Sequence, residues 1–426
     1  MKKIALVIDT ENWAFARIAR DIKETLKEYY EFKIIPIANF DNDVVNVLIE
    51  AKDCELIHFF WRGVLLQINS EQYKERIEQI GRRLKEFNKK YLLNKIITFH
   101  IPDHLFLEKD IETSKKIIEE YPNYYVTSTK LLEIYNELFR NKPYSVISDG
   151  VNLKQFYPTN FSKYDDINNR KIKIGWAGNS AWHLEEEDFK GVNTILKPVI
   201  QELLEENYPI EIKYADKATN MIPYDEMINF YNDIDIFICT SKYEGTPCTV
   251  LEAIACKNVI VSTDVGIVKE VLGKEQQEFI LEERTKRCLK QKIIKLIENR
   301  NLFENLSNEN LERVKEWDVK VVYQKIKEFY DYNFKKREEE ERNKMTSLTE
   351  EQKNYFEMLE NKINELEREN SKYKLQLEEA NYENKYMKSN IRKKDNKLKK
   401  IENSKAYKLL KLYRKIKNKI FFWRGK

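Results

Sequence analysis

The chain is poor in the residues that staple or anchor a protein. Its five cysteines (Cys54, Cys239, Cys248, Cys256, Cys288) are an odd number and form no Cys-x-x-Cys pair. This argues against a disulfide framework or a cysteine-based zinc site and fits a reducing cytoplasm. Nothing approaches the roughly 18 consecutive apolar residues that a bilayer crossing requires. The opening KKIALVID is too short for a secretory leader and lacks a cleavage pattern. No Gly-x-Gly-x-x-Gly follows either opening strand, which argues against an NAD-dependent enzyme. No His/Cys cluster demands a metal and no residue stands out as a covalent nucleophile, so neither cofactor nor metal is expected. The charge excess is small, +4 over 426 residues, so the average says little about partners.

What is present is a strong alternation of strand and helix patterns. The apolar share of 42% is ample for two cores. Strand candidates in the first part are Lys3–Asp9, Phe32–Ala38, Glu55–Phe60, Lys95–His100, Tyr124–Thr129 and Tyr144–Ser148, with amphipathic helical stretches between them. SDGVNLKQFYP (Ser148–Pro158) reads as an exit turn, and polar Thr159–Arg170 as a linker. A second alternating run comprises Lys171–Ser180, Glu211–Asp216, Ile234–Ser241, Val259–Thr263 and Glu278–Leu281. The fold class is therefore α/β: two doubly wound, Rossmann-like domains (1–158 and 171–334, linker 159–170) facing each other across a cleft.

The most informative stretch is TSKYEGTPCTVLEAIAC (240–256), where an apolar strand enters a short loop and a helix follows at once. Such a junction sets backbone N–H groups and a helix N-terminus at the carboxyl edge of a parallel sheet, a ready anion site. Gly245 lets the backbone approach a ligand, and Pro247 stiffens the loop. Glu244 and Glu252 bracket the turn with seven residues between them. Acids beside a phosphate pocket repel phosphate, so hydroxyl groups are the natural partners. Phosphate plus polyol on one ligand suggests a nucleotide sugar. Thr249-x-x-Glu252 is equally a capping box, which would make Glu252 purely structural. Gly175 and Gly178, where a strand turns into a loop, would let the backbone near a diphosphate, and Lys190 adds a point charge in reach.

The stretch resembles the Glu-x7-Glu signature of retaining glycosyltransferases of the B-type fold, large family four, also called glycosyl transferases group 1. TDVGIVKEVL (Thr263–Leu272), SDGVNLKQFYP and GWAGNSAWHLEEEDFKG (Gly175–Gly191) are similar to other parts of that family, and the helices around Trp317 to those that cross back onto the first domain. The resemblance implies a hexosyltransferase-type enzyme moving a sugar from a nucleotide diphosphate to a hydroxyl, with retention at the anomeric carbon. Glu244 would hold the donor sugar and Glu252 the ribose. Gly178, Asn179, Gly245, Thr246 and Pro247 would line the donor site, and Lys190 would neutralise the leaving diphosphate. His100, at the end of a strand, would reach the sugar near the reacting carbon, with His104 as second choice. The first domain would hold a glycan, lipid-linked or protein acceptor through Asp9, Trp13, Arg62 and His104, although Arg62 in FFWRG reads equally as a surface residue beside core packing. Two departures stand out: no Arg follows the glycine turn, where Asn179 and Ser180 sit, and Lys257 stands where the family has Gly. They lend weight to a non-catalytic sugar- or nucleotide-binding module as the alternative.

Residues 335–402 change character. Phe356, Leu359, Ile363, Leu366, Tyr373, Leu377, Ala380, Met387, Ile391, Leu398 and Ile401 fit one heptad frame, with Asn370 and Asn384 at a positions. That frame predicts a coiled coil, and buried Asn at a favours a parallel homodimer. Residues 403–426 carry nine Lys/Arg and no acid, interleaved with Leu, Ile, Tyr, Phe and Trp. This reads as a basic amphipathic anchor on an anionic membrane surface. Nucleic acid is not expected as a partner, because both domains look built for a small ligand. The expected setting is surface-glycan assembly at the inner face of a membrane.

Overall fold

The computed structural model describes residues 1–346 apart from 12, 104–106 and 108–110, and then scattered positions between 358 and 396. The chain divides into two units, Met1–Glu338 and Glu339–Lys426.

The first unit contains two parallel five-stranded sheets, one per lobe. In the first lobe, β1 (Lys2–Ile8), β2 (Tyr30–Pro36), β3 (Leu56–Phe59), β4 (Ile96–Ile101) and β5 (Tyr124–Val126) lie in the order β2-β1-β3-β4-β5. Helices α1 (Ala14–Leu26), α2 (Val44–Glu50), α3 (Glu71–Gln79), α4 (Leu84–Tyr91), α5 (Ile111–Glu120) and α6 (Thr129–Leu138) connect and cover them. In the second lobe, β6 (Ile172–Gly178), β7 (Ile210–Asp216), β8 (Ile236–Cys239), β9 (Val259–Thr263) and β10 (Ile280–Leu281) lie in the order β10-β9-β8-β6-β7. Its helices are α7 (Lys197–Glu205), α8 (Met227–Asn232), α9 (Cys248–Ala255), α10 (Val268–Val271), α11 (Lys286–Glu298) and α12 (Leu302–Arg313). The central strands are continuous apolar runs because helices bury both faces of a parallel sheet. Ile4, Ala5, Leu6, Val7 and Ile8 are all buried accordingly.

The long helix α13 (Val319–Thr346) returns to the first lobe. Val319, Val322, Tyr323, Ile326, Phe329, Tyr330 and Phe334 join Ile4, Leu6, Ile22 and Tyr30 in one core cluster. The two segments that cross between lobes run side by side: Val151 N–H donates to Trp317 O (2.8 Å), and Val319 N–H to Val151 O (3.1 Å).

Two expectations need correction. Tyr144–Ser148 is not a strand of its own. It runs beside β5, with Tyr144 N–H donating to Tyr124 O, but pairs only through a Val126–Val146 bridge. The chain after β5 turns at once into α6, capped by Ser128, so no further partner backbone is available. Residues 159–170 do not hang free as a linker. Tyr164 and Ile167 are buried in the second lobe's core, and Arg170 makes a two-point ion pair with Asp235.

In the second unit the described positions are helical, and Leu366, Tyr373 and Leu377, three positions of the heptad frame, are exposed. Asn370 and Ala380 of the same frame are likewise helical and exposed, and the remainder of the coiled-coil frame and the whole basic tail lie outside the described residues. Among the described residues no helix is long and apolar enough to cross a membrane.

Candidate active site

In an open parallel sheet, ligands sit beyond the carboxyl ends of the strands where the strand order reverses. In the second lobe that point lies between β6 and β8, which pair directly. The loop after β6 carries Lys190 and the loop after β8 carries Glu244. Their side chains meet there, Lys190 Nζ donating to Glu244 Oε1 at 2.5 Å. The lysine loop is drawn down onto the end of β8. Thr240 Oγ1 donates to Lys190 O (2.7 Å), and Arg284 bridges Thr240 O and Asp188 O. Gly191 has φ +66° and an added Cβ would lie 2.5 Å from Thr240 O, so the Lys-Gly pair needs its glycine. Burial works to lower the Lys190 pKa, but Glu244 overrides it and holds the ammonium above the ordinary lysine value. Glu244 also lines a groove of about 360 Å³ between the lobes, with Lys130, Leu131, Lys242 and Asp264.

Glu252 is not a capping residue. Helix α9 begins at Cys248 after Pro247, with no side-chain cap, so Thr249 lies inside the first turn. Instead Glu252 is buried, 4% exposed, and faces the first lobe. Arg17 Nη1 of α1 donates to Glu252 Oε1 at 2.7 Å, and the Tyr231 hydroxyl donates to Oε2 at 2.8 Å. Tyr224 completes the group by accepting from Arg17 (3.1 Å). Burial pushes the Glu252 pKa up, with Arg17 pulling it back only in part.

The EGTP turn is packed directly against the first lobe. A Cβ on Gly245 would lie 1.9 Å from Pro102 O and 2.1 Å from Thr127 Oγ1, so glycine here permits lobe-to-lobe contact. Thr246 Oγ1 donates to Thr127 O (3.3 Å) and accepts from Asp149 N–H (3.0 Å). Gly175 serves packing rather than diphosphate approach, because a Cβ there would strike the Ile234 side chain at 2.3 Å. Gly178 ends β6 and accepts from Lys217 N–H (2.8 Å). Asn179 Oδ1 accepts from Ala181 N–H, and Ser180 is held by Asp216.

In the first lobe the reversal falls between β1 and β3. Asp9, after β1, accepts from Thr10 N–H (2.7 Å), and burial raises its pKa. Trp13 is 43% exposed and lies under Lys217 Nζ of the second lobe, 4.4 Å from the ring centre. His100 is fully enclosed by Phe15, Phe60, His58 and Tyr125, and burial lowers its pKa to about 3. Arg62 is not a surface residue: it is buried, whereas its neighbour Trp61 is exposed. His104 lies outside the described residues.

Sequence reasoning missed Arg17. In AFARIAR it reads as one more charge on an amphipathic helix, and its partner lies 235 residues away. It also missed what lets Lys257 stand in for glycine. Lys257 takes φ +63°, and its buried Nζ is compensated by Glu304 (2.7 Å) and Phe161 O (2.7 Å).

Two α/β lobes, each built on a parallel five-stranded sheet, form the GT-B architecture. Residues 211–313 match the family described as Glycosyl transferases group 1, a span that holds both glutamates. An N,N'-diacetylbacillosaminyl-diphospho-undecaprenol alpha-1,3-N-acetylgalactosaminyltransferase from Campylobacter jejuni is 26% identical over 209 residues, 46% of this chain and 55% of the relative. The capsular polysaccharide biosynthesis glycosyltransferase CapM of Staphylococcus aureus is 25% identical over 209 residues, 45% of this chain and 55% of the relative. The chain thus spans about half the length of these curated relatives. Among solved structures, sucrose-phosphate synthase from Thermosynechococcus elongatus superposes with a TM-score of 0.59 at 14% identity, covering 78% of this chain and 99% of that one. Anabaena Alr3699/HepE in complex with UDP and glucose gives 0.55 at 13% identity, covering 78% and 100%. Residues 211–313 thus resemble the group 1 glycosyltransferases, and the two lobes share the GT-B fold of these solved structures.

Proposed function

We propose that this protein is a retaining glycosyltransferase that moves a sugar from a nucleotide diphosphate to a hydroxyl of a glycan or lipid-linked acceptor in surface-polysaccharide assembly. The observation that carries the reading is the meeting of Lys190 and Glu244 at the reversal point, 2.5 Å apart. In this structure the two neutralise each other. A bound donor would give the ammonium a phosphate oxygen and the carboxylate a sugar hydroxyl, so binding exchanges one charged contact for two. The bond from the anomeric carbon to the diphosphate oxygen breaks. The acceptor oxygen bonds to that carbon on the same face, and its proton passes to the departing diphosphate. The residues then supply charge stabilisation and positioning rather than a covalent intermediate. On this reading Lys190 is the cation at the leaving group, so transfer persists in chelator; loss in chelator with recovery in manganese would refute that part.

The names of the Campylobacter and Staphylococcus relatives support a polysaccharide setting and a lipid-linked acceptor. The exposed seam at Leu366, Tyr373 and Leu377 supports a parallel coiled-coil dimer. The basic tail supports attachment to an anionic membrane on the cytoplasmic side.

One observation favours a second reading, a non-catalytic sugar- or nucleotide-binding module: both Glu252 oxygens are already engaged by Arg17 and Tyr231. A panel of nucleotide sugars separates the two. The enzyme releases nucleotide diphosphate and forms product with the donor's anomeric configuration, and Glu244→Ala lowers turnover by at least about 100-fold, as loss of a transition-state contact does. Binding with no turnover on any donor and acceptor tried would leave the module.

A further inference from the structure

The loop that carries Lys190 runs from the end of β6 at Gly178 to Gly191. No helix or strand supports it, so the place of the ammonium depends on what pins the loop. Three successive carbonyls are pinned. Asp188 O accepts from Arg284 Nη2 (2.5 Å), Phe189 O from Lys242 N–H (2.8 Å), and Lys190 O from Thr240 Oγ1 (2.7 Å). The donors lie past the carboxyl ends of two strands, Thr240 and Lys242 after β8 and Arg284 after β10.

Arg284 is the member that reaches both sides. Its Nε donates to Thr240 O (2.8 Å) while Nη2 holds Asp188 O. Its nitrogens share one rigid plane, so the guanidinium fixes the separation of the two carbonyls as well as satisfying them. Thr240 is 0% exposed and holds Lys190 O itself, so the loop is tied to a buried point. Gly191 lets the loop pass close to the guanidinium, since a Cβ there would lie 3.0 Å from Arg284 Nη2. The other terminal nitrogen, Nη1, faces Glu187 Oε1 at 4.0 Å. Arg284 therefore touches loop backbone and Glu187, and it bears on the reacting centre through Lys190. A lysine ammonium rides on a flexible four-carbon stem. With its own carbonyl and the two before it held, only side-chain rotation remains to place Nζ against Glu244.

We propose that Arg284 is a positioning residue for Lys190. Its two-carbonyl grip sets the lysine loop against the end of β8, so that the ammonium meets the donor's diphosphate where it stabilises departure. This rests on the glycosyltransferase reading above and adds a residue to its machinery.

The test compares the wild-type protein with Arg284→Gln, Lys190→Ala and the double variant. Turnover is read on a panel of nucleotide sugars and affinity with uridine and guanosine diphosphate. Hydrogen exchange is read at the Lys242 and Gly191 amides, which donate to Phe189 O and Asp188 O. Arg284→Gln lowers kcat by about 10- to 100-fold, the scale of a misplacement near 1 Å, and raises exchange at both amides. Added to Lys190→Ala, it lowers kcat by less than about threefold, because the group it positions is gone. The same fold loss in both backgrounds marks a merely structural role and overturns the proposal, as does wild-type exchange at the two amides. Arg284→Lys keeps the charge without the planar fork and retains most of the loss; full activity there overturns the two-point grip. Thr240→Val, which removes the hydroxyl holding Lys190 O, gives a loss that likewise vanishes on Lys190→Ala, and it serves if Arg284→Gln does not fold. Absence of turnover by the wild-type protein on every donor sinks the glycosyltransferase reading instead. Diphosphate affinity then decides the positioning role: weaker binding in Arg284→Gln, with no further loss on Lys190→Ala, supports it, and binding equal to wild type overturns it.

Discussion

Replacing Arg17 by Met tests whether the interlobe ion pair is as strong as its burial implies. Arg17 and Glu252 have side chains 9% and 5% exposed and lie 2.7 Å apart. Removing Arg17 leaves a buried carboxylate with tyrosine hydroxyls but no cation against it. Breaking such a pair costs about 3–5 kcal/mol, and in a protein of this size that lowers the melting temperature by on the order of 10 °C. The loss depends on pH. Glu252 already has a folded-state pKa above its ordinary 4.5, because burial outweighs Arg17. A carboxylate raised in this way keeps its proton longer in the folded than in the unfolded state. Stability therefore falls as pH rises from the unfolded to the folded pKa. Arg17→Met moves the folded pKa higher still, so its deficit is small near the unfolded value and complete above the folded one. Thermal melts at about pH 5 and about pH 8 should show the larger gap at the higher pH. The double variant Arg17→Met/Glu252→Gln, which removes both charges, should recover most of the loss at about pH 8. A deficit independent of pH, or a double variant no better than the single one, would refute the argument that an uncompensated buried carboxylate causes the loss.

Gly245→Ala sets a methyl 1.9 Å from Pro102 O; it should destabilise by about 1–3 kcal/mol and raise hydrogen exchange at the Thr127 amide, which donates to Ile101 O, and wild-type exchange there would count against the close lobe contact. Lys257→Gly relieves a left-handed residue but loses a buried Nζ held by Glu304 and Phe161 O; the charged contacts outweigh the strain, so a net loss of about 1 kcal/mol is expected in denaturant titration, and a more stable variant would show the reverse. Sedimentation equilibrium should find the intact chain dimeric and a chain ending at residue 338 monomeric; a monomer with the tail intact would remove the coiled-coil dimer.

Much of the fold was legible because its signals are local. Val259–Thr263 is a strand with the bounds that its apolar run suggests, and the alternation of period-2 and period-3.6 segments specifies two doubly wound sheets. Where the pattern misled, the cause was non-local. YSVIS has a strand's composition, but β5 offers too little backbone to pair with it. Tyr164 and Ile167 look like occasional apolar residues in a polar linker until the second lobe's core receives them.

The sequence by itself determined that two α/β lobes exist, that Glu244 and Lys190 fall in loops at carboxyl edges of the second sheet and that Glu252 falls in the helix that follows, because strand, turn and helix follow from neighbouring residues. Only the tertiary structure decided what those groups touch. Thr249 and Glu252 fit a capping box equally well, and a helix that starts two residues earlier than such a box requires settled against it. Arg17 carries no local signal, since a charge on an amphipathic helix faces water or core according to what packs over it. Its ion pair with Glu252 joins distant segments, and sequence spacing does not encode that distance.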